Sequence, residues 1–129
     1  MSSAVRHLTF DSHNPYELAG FWADVLGGKR HEDDEPGDDE VLLVGPEPAL
    51  LFIRVPEGKT VKNRLHLDLQ PQDRTRDAEV ARVLELGATV FGDHRNEDGT
   101  GWVTLADPEG NEFCVERSQA ERDSWTPQA

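Results

Sequence analysis

The sequence has a single cysteine, few basic residues, and no apolar run long enough to cross a bilayer. Each shortage removes a class of protein. Cys114 alone cannot form an internal disulfide, and a lone thiol fits a reducing compartment. The longest uninterrupted apolar run, residues 49–53, falls far short of a membrane span, and the start MSSAVRH lacks an apolar signal region. The expectation is a soluble, cytoplasmic chain with no membrane partner. Only 13 Lys and Arg stand against 26 Asp and Glu, a formal net charge of −13 that repels phosphate backbones, so nucleic acid is not an expected partner. What remains is a chain of 129 residues, enough for one ordinary core.

Part of the acidic excess lies in one run, HEDDEPGDDE at residues 31–40, whose charges repel each other and whose Pro-Gly centre breaks any helix. It reads as a solvated loop, with an acidic lip that draws in cationic ligands as the alternative.

Alternation and helical spacing divide the chain into elements. Residues 5–10, VRHLTF, read as a strand with Leu8 and Phe10 on one side and His7 and Thr9 on the other. A helix follows: Asn14 as cap, Pro15 in the first turn and Glu17 in a capping-box-like position, with Leu18, Phe21, Trp22, Val25 and Leu26 as its apolar stripe. Gly27 and Gly28 end it. Strands are predicted at 29–32, 40–44 and 50–55. The second half starts again with RLHLDL at 64–69, a helix over 77–86 with Val80, Val83 and Leu84 inward, and strands at 89–92, 102–106 and 111–117.

Both halves therefore run strand, helix, three strands. The predicted organisation is a single domain over 1–129, with repeat one at about 5–55, repeat two at about 63–117 and a polar tail at 118–129. One helix per unit covers only one sheet face, so function is expected on the other. Aligning GPEPALLFIRV with DPEGNEFCVER through their Pro-Glu turns puts Leu51, Ile53, Phe113 and Val115 toward the helices. With the leucines and valines of each strand turned toward the helices, alternation puts His7, Thr9, Leu50, Phe52, Arg54, Arg64, His66, Asp68, Glu112, Cys114 and Glu116 on the open faces. Asp68 and Glu116 are candidate general bases or surface charges, and Trp102 is a candidate stacking surface or packing residue. Cys114 reads as a small pocket-wall residue. As a nucleophile it would need a base or positive charge, which its neighbours in sequence do not supply. Trp125 is expected to pack on its own domain or on a partner chain.

Three stretches, His7 in VRHLTF before a helix ending LGG, His66 in RLHLDL before a helix ending LGA, and ADPEGNEF near the end, resemble the vicinal oxygen chelate superfamily of glyoxalase I, bleomycin-resistance proteins and extradiol dioxygenases. The resemblance covers roughly residues 5–117 and is nearest to the small, single-domain glyoxalase-like members. It implies an α+β fold of two βαβββ repeats whose mixed sheets curl around a cavity, often as a homodimer. It also implies a small-molecule ligand lined by His7, Phe52, His66, Trp102 and Cys114. The family's metal positions map onto His7, Phe52 or Ile53, His66 and Cys114. Phe52 cannot ligate, and Cys114 stands where metal-dependent members usually have glutamate. The reading is therefore binding of a small, cationic or aromatic molecule without a cofactor. The alternative is a divalent metal such as zinc on His7, His66 and Cys114, serving a lyase, isomerase or dioxygenase acting on vicinal oxygens.

Overall fold

The computed structural model describes residues 2–127, so Met1 and positions 128 and 129 of the polar tail lie outside the described residues. The chain divides into two compact units, Met1–Thr60 and Val61–Ala129.

The first unit contains β1 (His7–Ser12), α1 (Pro15–Leu26), β2 (Lys29–Arg30), β3 (Glu40–Val44) and β4 (Ala49–Arg54). Its sheet has the order β1-β4-β3-β2, with β1 parallel to β4 and the other pairs antiparallel. Pro15 opens α1 because its missing N–H would have had no intrahelical partner there. Asn14 holds the cap position without a side-chain cap bond, unlike the capping box expected, and its own N–H donates to Ser12 Oγ at 3.0 Å. Gly27 closes the helix at φ 80°, a left-handed conformation that favours glycine.

The stripe Leu18, Phe21, Trp22 and Val25 is buried with Val41, Leu43, Leu50 and Phe52. Phe10 joins the two layers, 5.6 Å from the Trp22 ring and 5.1 Å from Phe52. The ladder fixes which residues share a face: Leu8 pairs with Leu50, Phe10 with Phe52, and Val41 and Leu43 oppose Phe52 and Leu50.

This corrects the sequence reading of β4. Leu50 and Phe52 point to the helix, and Leu51 and Ile53 take the open face with His7 and Thr9. The cause is the length of one turn. The β3–β4 connection spans residues 45–48, whereas its counterpart in the second unit spans 107–111 and is one residue longer. Aligning the Pro-Glu turns hides that residue, and a slip of one position moves every side chain to the opposite face.

The acidic run is an ordered loop. His31 N–H donates to Leu42 O, the Asp34 carboxylate accepts Leu42 N–H at 2.8 Å, and Arg54 reaches Asp39 at 3.1 Å. Some of its charge thus satisfies the backbone of the adjoining strand β3 and the Arg54 guanidinium.

The second unit contains β5 (Asp68–Leu69), α2 (Arg76–Leu86), β6 (Thr89–Arg95), β7 (Gly101–Ala106), β8 (Glu112–Val115) and α3 (Gln119–Ser124). The sheet order β5-β8-β7-β6 repeats that of the first unit, again with the first strand parallel to the last. Neither sheet closes on itself. Phe113, Val115, Val103 and Leu105 are buried, as are Val80 and Val83 of α2.

The strand expected over 64–69 is reduced to β5, and Leu65 is 70% exposed. Among the described residues β5 pairs with β8 alone, which starts at Glu112. With Asp68 opposite Cys114 in the parallel register, positions 64 and 65 lie before the start of β8, and Asn63 N–H is taken by the Glu112 carboxylate at 3.0 Å. β6 runs further than expected, and the tail forms α3, capped by Ser118 in a capping box with Glu121.

Candidate binding site on the second sheet

The ladder of the second unit places one residue from each strand in a row across its open face. Asp68 pairs with Cys114, Cys114 with Thr104, and Thr104 with Gly92. Partners in a ladder share a face, so these four lie side by side opposite the helix-facing Leu69, Val115, Val103 and Leu105. His66 and His94 flank the row. His66 Nδ1 lies 3.6 Å from Asp68 Oδ1. His94 pairs with Trp102, and their rings stand 4.9 Å apart. A Cβ added to Gly92 would come within 3.0 Å of His94 Nε2, so the bare glycine leaves room for that imidazole.

Three of these residues converge tightly. One donor atom from each of His66, Asp68 and Cys114 lies within 4.8 Å of the others. Cys114 is 8% exposed, and its Sγ makes a 3.3 Å contact with Thr104 Oγ1. Burial pushes the thiol pKa up, the negative charges of Asp68 and Glu116 add to the rise, and the Thr104 hydroxyl only partly opposes it. At neutral pH the group is a thiol, which disfavours nucleophilic chemistry.

The residues singled out in the sequence take different places. His66, Asp68, Cys114 and Trp102 share the open face of the second sheet. Trp102 is 44% exposed, so its ring is available to a ligand. His7, half-buried on β1, belongs to the first unit, where its face also carries Thr9, Leu51 and Ile53. Phe52, expected as a pocket wall, is 0% exposed behind Phe10 and is a core residue. Glu116 pairs with Arg122 at 3.6 Å, as an exposed ion pair rather than a free base. A polar cleft of about 610 Å³ lined by Tyr16, Gly20, Arg30 and His31, and another of about 580 Å³ around His13 and Arg54, belong to the first unit and include none of His7, Phe52, His66, Asp68, Trp102, Cys114 and Glu116.

Sequence reasoning missed Thr104, His94 and Gly92. Thr104 was legible, since it alternates with the apolar Val103 and Leu105. His94 was not: the register between Val90 and Gly92 shifts by a bulge, which changes the face of every residue after it.

A family model described as a glyoxalase-like domain matches residues 7–116. Among curated proteins nothing matches significantly. Solved structures share the fold at low identity. A glyoxalase/bleomycin resistance protein/dioxygenase family enzyme from Burkholderia phytofirmans PsJN superposes with TM-score 0.67 at 17% identity, covering 88% of this chain and 97% of that one. A lactoylglutathione lyase from Agrobacterium tumefaciens gives 0.59 at 20% identity, covering 89% and 93%. A fosfomycin resistance protein, FosX, from Listeria monocytogenes, complexed with Mn(II) and 1S,2S-dihydroxypropylphosphonic acid, gives 0.66 at 15% identity, covering 95% and 98%. No helix among the described residues is long and apolar enough to cross a membrane. The match over 7–116 makes this chain a member of the glyoxalase-like domain family.

Proposed function

We propose that the protein binds a small, planar, cationic molecule on the open face of its second sheet, and that binding without turnover is its activity. The observation that carries this reading is the exposed Trp102, backed by His94, on the same face as His66, Asp68 and Thr104. An aromatic ring beside a few convergent polar groups is the usual composition of a small-molecule site. Stacking on Trp102 would hold a planar guest. The Asp68 carboxylate and the −13 net charge of the chain would favour a cationic one. Cys114, held as a thiol, would serve as wall. The test is a titration of pterins and cationic glycopeptides followed by tryptophan fluorescence. Saturable quenching lost in Trp102→Ala is expected, and silence across the panel would reject the reading.

A second reading rests on a separate observation, the His66, Asp68 and Cys114 donors within 4.8 Å of one another. Imidazole, carboxylate and thiolate together suit a divalent ion of zinc type, and binding would displace the thiol proton. Such an ion would supply a Lewis acid able to hold and polarise adjacent oxygens, the requirement of lyase, isomerase or dioxygenase chemistry on vicinal oxygens. This set draws on the second unit alone, with Asp68 joining His66 and Cys114. Metal analysis of protein purified without chelators tests it: one equivalent, lost in His66→Ala, supports the enzyme reading. Metal-free protein that zinc does not bind removes it.

A further inference from the structure

The segment beyond the family match, residues 118–125, reaches the β6–β7 hairpin by two routes. The first passes through Arg76 at the start of α2. Glu121 Oε1 accepts both Ser118 N–H at 2.9 Å and Arg76 N–H at 2.7 Å. The Arg76 side chain, 5% exposed, donates from Nη1 to the carbonyls of Gly99, Thr100 and Gly101 at 3.0–3.1 Å. The second route is direct: Trp125 Nε1 donates to Asp98 O at 3.0 Å, and the Arg117 guanidinium lies 5.9 Å from the Trp125 ring.

All four carbonyls belong to the turn at the hairpin tip or the first residue of β7. The tip is also tied within itself, by Asn96 N–H to Thr100 O at 2.9 Å and by Thr100 N–H to the Asp98 carboxylate at 3.0 Å. Arg95 pairs with Gly101, and the next rung is His94 with Trp102. The clamp therefore grips the chain one rung from the aromatic half of the candidate site.

We infer that residues 118–125 are a positioning latch for the His94–Trp102 rung, with Glu121 and Trp125 as its positioning residues. A hairpin two strands wide is weakly held at its tip unless something packs against it. Here a capped helical turn and an indole N–H perform that task. The consequence for ligand affinity rests on the binding reading above, whereas the mechanical part needs no ligand.

The experiment compares Glu121→Gln, Trp125→Ala and Trp125→Phe in the full chain. Amide hydrogen exchange is followed at residues 96–104 and in α1, together with the indole N–H resonances of Trp102 and of buried Trp22. Trp125→Ala is expected to speed exchange at 96–104 on the order of tenfold, the effect of losing one net hydrogen bond, and Glu121→Gln, whose amide oxygen still accepts but carries no charge, should speed it less. They should move the Trp102 resonance and leave α1 and Trp22 unchanged. Trp125→Phe, which keeps an aromatic ring and loses the N–H, should fall between Trp125→Ala and the parent. Unchanged exchange at 96–104, an unmoved Trp102 resonance, or an equal rise in α1 would overturn the latch. A latch that passes while no ligand is found would count against the binding proposal alone.

Discussion

The two units have the same strand order and the same parallel pairing of first and last strands, yet their open faces differ in chemistry. In the first sheet the ladder counterpart of Cys114 is Leu51, paired with Thr9, and its neighbours along that face are Ile53 and Leu42. In the second the same row reads Asp68, Cys114, Thr104 and Gly92, flanked by two histidines and Trp102. On that face the first copy thus carries Leu42 and Leu51 beside His7 and Thr9, where the second carries Thr104 and Cys114 beside His66 and Asp68. Topology fixes where a site can be. Residue identity and a single turn residue decide which copy holds it.

The contrast can be tested by substitution, starting with the largest effect. Phe52→Ala should cost about 3–5 kcal/mol in denaturant unfolding, the range for emptying a buried aromatic position, because Phe52 packs in the core. Cys114→Ala, at the open face of the other sheet, should cost about 1 kcal/mol. Equal losses would erase the distinction between core and site.

Trp102→Ala comes next. The ring is exposed, so stability should change by under about 0.5 kcal/mol, while affinity for a planar cationic ligand should fall about tenfold, roughly 1.4 kcal/mol. Calorimetric titration beside a melting curve separates the two.

A smaller effect should appear in the pH dependence of Cys114 alkylation. Burial first, and Asp68 after it, raise the thiol above its ordinary value of 9.0, so the rate should climb only in alkali beyond that value. Asp68→Asn removes a raising charge and should shift the midpoint down.

The smallest concerns acid. Burial raises the Glu121 pKa, but hydrogen bonds from Ser118 and Arg76 N–H and the charge of Arg76 outweigh it and leave the group below its ordinary 4.5. A carboxylate depressed on folding stabilises above its unfolded pKa, and that contribution is lost as pH falls through the folded value. Exchange protection at 96–104 should therefore begin to fall below about pH 4.5.

Much of this was legible in the sequence because period and punctuation agreed. Leu18, Phe21, Trp22 and Val25 recur at helical spacing between Pro15 and Gly27, and the helix lies where they put it. His66 and Asp68 were legible as one face because RLHLDL alternates without interruption, and Cys114 joined them as the residue between Phe113 and Val115. Phe52 was misplaced because a motif match stood in for a count of turn residues. Positions 64 and 65 of the expected strand lie before the start of β8, a tertiary fact that alternation does not carry. His94 lay beyond a bulge that leaves no mark in residue type. The tail helix did leave one, the Ser118 and Glu121 pair of a capping box, hidden among other polar residues.

The most direct test of the central claim, that the chemistry lies on the open face of the second sheet, is an amide and indole shift map recorded while pterins and cationic glycopeptides are titrated into the intact protein. Saturable shifts are expected at residues 66–68, 92–94, 102–104 and 114, with the buried core at Trp22 and Phe52 still. Binding that saturates while those second-sheet positions stay unmoved would contradict it.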